Sequence, residues 1–524
     1  MSFFRLGLFS WSKIFFLFLL AASCGGECPN RSTPAGLSIV RPGYVFSTKG
    51  PSASIAPTLA VSSGLFKIAP ALPNGLSLNV KNGVISGIPT LDQAETLYTL
   101  TATNTTGSVS TEFTIEVITA FYVDSNLDTS DQILDGICLT SAGVCTLRAA
   151  IEESNSLAGT QSILIGENTT VILASALQIS SSIKIFGQDQ DTVIISGNDA
   201  VRIFEFTSTT HTSTLKNFTL RDGLAVSGKG GALTSSGGSL TLQLLKFLEN
   251  TCDTGCDGGG AIGISDGTNT LTTNLTIEKC LFQSNTAWAG ALGGGGVFFD
   301  GTGFSIKDSE FSSNTTPPGF GLGGGMVSFD AVGSIERSTF KENYAQFGGG
   351  LTFLGGTHTI KNLSFFSNSA NAGAGLAIDS SGVVTGANLT FLGQVSAING
   401  GAILVSNSLG AGTLNLSNTL FSENIAGVTP NDCWVVGTLN SLGGNITSVD
   451  PATSNCGFAT GTGDLLSTSV NLATPADNGG FVLTAAIEAT SAARNAGVAQ
   501  YCPTEDARGI ARATGQCDVG AYEY

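Results

Sequence analysis

The stretch FQSNTAWAGALGGGGVFF, residues 282–299, joins a phenylalanine and an asparagine three places on to a small-residue run crowded with glycine, then to an apolar burst. The phrase returns. F-x-x-N recurs as Phe247–Asn250, Phe282–Asn285, Phe311–Asn314, Phe340–Asn343, Phe365–Asn368 and Phe421–Asn424. Phe391 begins another copy with Gln394 in the asparagine's place, and Leu220 with Gly223 is a degenerate first copy. Successive starts lie 25 to 35 residues apart. A period sustained in that range specifies a solenoid.

Side-chain parity says which solenoid. Five residues before each phenylalanine stands an aliphatic: Leu242, Ile277, Ile306, Ile335, Ile360 or Leu416, with Gly386 as the departure. Two before stands Cys280, Ser309, Ser338, Leu363, Leu389 or Thr419. Inward positions on one strand are an even number apart, so offsets of −2 and 0 share a strand and −5 does not. A corner must fall between them, near −4 and −3. Asn362, Asn388 and Asn418 occupy −3, and asparagine tolerates the left-handed backbone of a tight corner. Short strands separated by corners and repeating every coil describe a right-handed parallel β-helix. The runs GGAI (259–262), GGGM (323–326), GGGL (348–351) and GGAI (400–403) mark turns where stacked backbones approach closely. Phenylalanine on phenylalanine fills the interior, and the asparagines form a hydrogen-bonded ladder from coil to coil. Parity turns Cys280 inward as a buried free thiol.

F-x-x-N paired with G-G-A-aliphatic resembles the repeats of chlamydial polymorphic outer-membrane proteins, which implies a passenger β-helix on a cell surface. Those proteins end in a membrane barrel, whereas the roughly one hundred residues after Phe421 are too few for one, so a lipid would supply attachment. Residues 121–155 resemble the N-terminal module named for its Cys-Ser-Leu-Arg-Glu-Ala motif, here CTLRAA from Cys145 to Ala150. At the other end DARGIARATGQCDVGAYEY (506–524), with DNGG at 477–480, resembles the C-terminal choice-of-anchor module of bacterial β-helix proteins. Both imply caps over exposed strand edges.

Ahead of the solenoid, Arg5 and Lys13 precede an apolar run from Ile14 to Ala22 that is too short to span a bilayer comfortably, and LLAASC closes it. This ending resembles the lipobox of bacterial lipoproteins, with Cys24 the residue that would be acylated; ordinary cleavage after Ala22 or Ser23 is the alternative. Residues 39–119 alternate apolar and polar, with Tyr98, Leu100, Ala102, Phe113, Ile115 and Val117 on one face and a turn at Asn82-Gly83. With TLTATNTTG following, this stretch resembles the immunoglobulin-like (cadherin-like) domains of bacterial surface proteins, which implies a spacer or adhesive unit.

A formal charge of −17 and a pI near 4.4 disfavour nucleic acid and anionic membrane surfaces as partners. Export permits disulfides, and Cys138 with Cys145, Cys252 with Cys256, Cys433 with Cys456 and Cys502 with Cys517 are the local candidates; Cys28 and Cys280 are left over. His211 and His358 lie far from every cysteine, and no zinc-site spacing appears. Asp124, Asn126, Asp128, Ser130 and Asp135 follow the spacing of a calcium loop, but Thr129 replaces its glycine and Asp135 its terminal glutamate. Lys279, Asp308 and Arg337 succeed one another at the −3 corner, either as a surface ion-pair ladder or as a polysaccharide-lyase site.

The resulting expectation is an all-β chain: a small Ig-like β-sandwich followed by a capped right-handed parallel β-helix. Its parts are a lipoprotein signal peptide (1–23), tether (24–38), sandwich (39–119), N-terminal cap (120–160), β-helix (161–445) and C-terminal cap module (446–524). The functional expectation is a surface lipoprotein of the bacterial outer membrane, adhesin-like or structural and non-catalytic, with a polysaccharide lyase or hydrolase as the alternative. Partners would be the membrane through lipid on Cys24 and an extracellular protein or glycan, without nucleic acid. No cofactor is required; structural calcium is left open.

Overall fold

The computed structural model describes residues 34–59, 64–265, 273–288, 292–317, 319, 321–450, 456–513 and 515–524. Cys24, Cys28 and the lipobox lie outside them. Two compact units divide the chain; one holds 53–87 and 97–114, and the other holds 115–524 with 44–52 and 88–96.

In the smaller unit the strands Leu76–Leu78 and Ile85–Gly87 pair antiparallel around the Asn82-Gly83 turn, where Gly83 has φ 76°. Leu65–Ala69 pairs antiparallel with 99–103, and Tyr98, Leu100, Ala102 and Phe113 are fully buried, as their alternation requires.

The larger unit is a parallel β-solenoid. Among the described residues its coils stack into three long sheets of twelve, eleven and ten strands, here A, B and C. Sheet A runs from Phe121–Val123 to Thr438–Gly443, sheet B from Thr170–Ile172 to Ile446–Thr447, and sheet C from Leu177–Ile179 to Cys433–Val435. Phe247, Phe282, Phe311, Phe340, Phe365, Phe391 and Phe421 pair in exact succession in sheet B, with Leu220 next to Phe247. Their rings stack at 4.5–5.3 Å between centroids, inclined by 1–13°. The −5 aliphatics pair likewise in sheet A. Gly386 departs from that row, and a Cβ there would lie 3.0 Å from both Leu389 Cδ1 and Leu416 Cδ1. The larger residue at −2 fills the space that glycine vacates.

Between sheets A and B lies the corner that parity demands. The −3 residues Asn217, Leu244, Lys279, Asp308, Arg337, Asn362, Asn388 and Asn418 are all left-handed, with φ from 46° to 67°. A second left-handed corner follows each phenylalanine by two places, at Glu249, Ser284, Ser313, Glu342, Ser367, Gly393 and Glu423. It turns the F-x-x-N asparagine inward, where every ladder residue is buried. Each ladder oxygen accepts from the backbone N–H of the ladder residue one coil earlier at 2.9–3.2 Å. Asn250, Asn285, Asn314, Asn343 and Asn368 also donate Nδ2 to the next rung. The ladder ends when Asn424 donates to the buried Asp432 carboxylate at 2.9 Å.

The triple glycine has three reasons. Gly323 has φ 57°; a Cβ on Gly324 would meet the Gly349 carbonyl oxygen at 2.4 Å; one on Gly325 would meet the Phe340 ring at 2.8 Å. The first makes the turn, the second admits the next coil, and the third clears space for the stacked ring.

At the entry, Thr146 caps the helix α1 (Leu147–Ser156), and Leu147, Ala150 and Ile151 close the first coils' core. At the exit, Phe458 lies over Phe421 at 5.6 Å, held by Cys433–Cys456. The chain from 466 to 524 then returns along the side of the solenoid. Val470, Ile487, Ala493 and Val519 pack on Leu420 and Ile446, the Leu483 carbonyl accepts from Thr339 Oγ1, and Glu505 reaches Arg337 at 2.8 Å. Buried Arg512 pairs with Glu523 at 2.7 Å and donates to Asn362 Oδ1 at 2.9 Å, so the 506–524 motif residues anchor this return.

Candidate functional site

The solenoid presents three long outer faces, and they are covered unequally. On sheet C the outward residues Phe298, Val327, Thr352, Ala377 and Leu404 are buried. Segments following the ladder residues, including Phe347 and Ala372, pack over them. On sheet B the returning tail covers Thr339, Thr390 and Leu420. On sheet A, Leu164 and Phe186 on the first coils are buried with Val45 and Ala120, while from Thr212 onward the first two outward residues of each strand stay accessible.

That accessible face has two uncharged rows. One is Thr214, Thr241, Thr276, Ser305, Ser334, Thr359 and Thr385, paired one to one and continued by Asn415 and Asn440. The other lies two residues earlier on each strand and mixes Thr212, Ser239, Asn274 and Thr357 with Gly303 and the exposed Val332 and Val383. A third row, two residues later, alternates Lys307, Glu336 and Lys361 after Gln243 and Glu278, which bond at 3.0 Å. The hydroxyl row stands six residues before each phenylalanine, a column the inward-looking alignment passes over. Reading that offset down the repeats would have found it.

The residues singled out from sequence separate into distinct settings. Arg337 grips Asp308 through two hydrogen bonds of 2.7 and 2.8 Å, and Glu505 from the tail extends the pair. The row is therefore not the exposed ladder expected: Asp308 is buried and the returning tail adds the third charge. Lys279 instead lines a cavity of about 190 Å³ with Lys246, Leu281, Glu310 and Phe481. Burial raises the Glu310 carboxyl above its usual range, with Lys341 opposing and Glu342 reinforcing the shift. Cys280 is buried and free, and desolvation pushes its thiol up to about 12. The four local cysteine pairs form disulfides.

The loop with calcium-like spacing is braced by its own carboxylates. Asp124 accepts from Cys145 N, Asp128 pairs with Arg148 at 2.8 Å, and Asp135 accepts from Ile137 N. Buried Glu153, on α1, accepts from the Asp135 and Gly136 amides. Among the described residues no group of three or more His, Cys, Asp or Glu could hold a metal ion. His211 bonds to Ser213 and Ser235, while His358 stacks on Phe353 at 4.0 Å and burial lowers its pKa to about 4. Both act as core aromatics at neutral pH. Among the described residues no helix is long and apolar enough to cross a membrane.

Comparison with known proteins brings these findings. Residues 29–118 match the family described as "Putative Ig domain". No curated protein matches. Among solved structures, two catalytic domains of a GH87 alpha-1,3-glucanase in complex with tetrasaccharides align at 10% and 11% identity. The first alignment covers 75% of this chain and 86% of that one with a TM-score of 0.29; the second covers 70% and 76% with 0.28. A structure described as a "putative alpha-galactosidase" from Bacteroides fragilis aligns at 11% identity over 37% of this chain and 57% of its own, with a TM-score of 0.15. Values this low carry no argument about activity. The chain joins an N-terminal Ig-like domain to a parallel β-solenoid.

Proposed function

We propose that this chain is an exported, lipid-anchored surface protein whose β-helix binds an extracellular ligand, without catalysis, through the outer face of sheet A. The carrying observation is the unequal cover: tail and loops occupy the later coils of the other two long faces, while the rows from Thr212 to Asn440 stay accessible along their whole length. Four disulfides and the LLAASC ending support export, and the Ig-like unit suits a spacer. Replacing Cys24 by Ala is expected to abolish palmitate labelling and release the protein; normal membrane retention sinks the anchor. The binding reading is tested with the chain from residue 25, probed on glycan and matrix-protein arrays and on extended solid surfaces. Capture is expected to fall when Ser305 and Thr359 become Lys, and capture indifferent to that change refutes it.

A catalytic second reading rests on Glu310, a carboxyl with raised affinity for its proton beside Lys246 and Lys279 in a small cavity. Glycoside hydrolysis uses two carboxylates, and among the described lining residues Glu310 has no acidic companion. Reducing-end or unsaturated products from a polysaccharide panel, produced with calcium supplied and lost in Glu310→Gln, would establish it over the binding reading.

A further inference from the structure

We infer that the accessible face of sheet A is an ice-binding surface, its ligand being the ordered oxygen plane of crystalline water. The inference rests on the reading above that this face binds, and it names the ligand.

The geometry is set by the backbone. Strand pairing holds the Ser/Thr row in unbroken register from Thr214 to Thr385. Coil stacking therefore repeats a hydroxyl every ~4.8 Å along the solenoid, and the companion row lies ~7 Å away on the same strands. Nine coils extend this two-row lattice for about 40 Å. Threonine is stiff at χ1, so each of its hydroxyls and methyls is held in place before any ligand arrives, and little rotamer freedom is left to lose. A ligand that matches such an array must itself repeat on the scale of a few ångströms along the solenoid and offer a second row beside the first. Ice presents that kind of plane; a dissolved molecule does not.

Chemistry narrows the choice in the same direction. Neither row contains a charged or aromatic residue between 212 and 440, in a chain whose formal charge is −17. Protein partners are gripped chiefly by Trp, Tyr and Arg anchors, and both rows lack all three. Sugar rings bind in water largely by laying their C–H faces on aromatic side chains, which the rows also lack. An uncharged lattice of small hydroxyls and methyls, with Val332 67% exposed and Val383 37% exposed, complements an uncharged lattice of water. The Lys/Glu row beside it alternates in sign and so presents no single-sign field across the plane.

The test uses fluorescently labelled protein from residue 25 on a single ice crystal, with ice recrystallisation in sucrose as a second readout. Wild type is expected to coat the crystal and to slow recrystallisation. Ser305→Lys and Thr359→Lys each place an unpaired charge against the lattice and are expected to reduce adsorption about tenfold or more. Val226→Lys, an exposed position outside the rows, is expected to leave it unchanged. Circular dichroism melts establish that each variant is folded. Folded wild type that does not adsorb, or face variants that adsorb as well as wild type, overturns the inference. Capture by a glycan or matrix protein that the same variants abolish, with no adsorption to ice, keeps the face as a binding surface and overturns ice as its ligand.

Discussion

Replacing Asn314 by Ala removes one rung from the middle of the buried ladder. The side chain is fully buried and takes part in four hydrogen bonds. Its Oδ1 accepts from Asn285 N at 3.1 Å and Asn285 Nδ2 at 2.8 Å; its Nδ2 donates to the Phe282 carbonyl at 2.9 Å and Asn343 Oδ1 at 3.0 Å. Not all are lost without relief. Asn285 Nδ2 keeps Phe247 O, and Asn343 Oδ1 keeps the backbone N–H of residue 314. The Asn285 N–H loses its acceptor, and the Phe282 carbonyl loses a donor. One buried orphan donor costs about 1–3 kcal/mol, and the second deficit adds to it, so the expected loss is about 2–4 kcal/mol. Phe311→Ala, which empties a site stacked at 4.7 Å on both sides, is expected to cost about 3–5 kcal/mol.

The ladder thus ranks beside the aromatic stack in the worth of a single residue. Urea unfolding compares the two variants with wild type, and amide exchange at Asn285 reports the local deficit. Because neighbouring coils contribute most of a solenoid's cohesion, the lesion is also expected to broaden the transition by uncoupling the coils on either side. Asn314→Ala within half a kcal/mol of wild type, with Asn285 exchange unchanged, would falsify the claim that the ladder carries stability.

Burial raises the Asp432 carboxyl from 3.8 to about 6, so the folded state holds this proton more tightly than the unfolded chain does. The wild type therefore loses up to about 3 kcal/mol as pH rises from about 4 to 6, and Asp432→Asn should flatten that part of the stability curve and raise the melting temperature at neutral pH. A variant whose pH profile between 4 and 6 parallels wild type contradicts this. Gly324→Ala drives a methyl against the Gly349 and Tyr344 carbonyls at 2.4 and 2.5 Å and is expected to cost about 1–3 kcal/mol in thermal unfolding. Cys280, its thiol pushed up to about 12, should resist alkylation in the native protein and react only on unfolding; labelling at the native rate of an exposed thiol would place it outside the core.

The solenoid was legible because its inward residues repeat in type as well as in spacing. Phe–Phe and Ile–Ile register needs only the chain's own period, and parity then locates the first corner. The reason assigned to that corner was too narrow. Asparagine fits left-handed backbone, yet Leu244, Lys279, Asp308 and Arg337 adopt the same φ, so stacking between coils imposes the conformation on residues that do not favour it. The second corner went unread because Glu or Ser occupies it in six copies, and neither advertises a turn of that hand; only Gly393, after Phe391, carries the usual signal. The ladder's terminus at Asp432 has no repeat to announce it. The tail's return was illegible for a different reason: contacts such as Thr339 with Leu483 and Asn362 with Glu505 join residues 143 or 144 places apart with no periodic trace. Calcium-like spacing at 124–135 matched side chains that cap nearby amides, an alternative use of the same carboxylates that spacing alone cannot separate from metal binding.

What covers each face follows from what each face presents. Sheet C turns Phe298, Val327, Leu404 and Trp434 outward, and loops lie over them. Sheet B's outward row becomes more apolar toward its end, reaching Leu420 and Ile446, and that is where Val470 begins the tail's packing before the chain runs back over Thr390 and Thr339. Apolar outer rows are buried because leaving them in water costs free energy in proportion to area. From Thr212 onward sheet A turns out chiefly serine, threonine and alternating charge, which need no cover, and the alternating Lys and Glu make lateral pairing with another sheet unfavourable unless signs match. The accessible face is therefore one whose chemistry lets it stay wet without aggregating. A surface that is periodic and stable in water is what a binding face for an extended ligand requires, and the fold spends its tail and loops elsewhere.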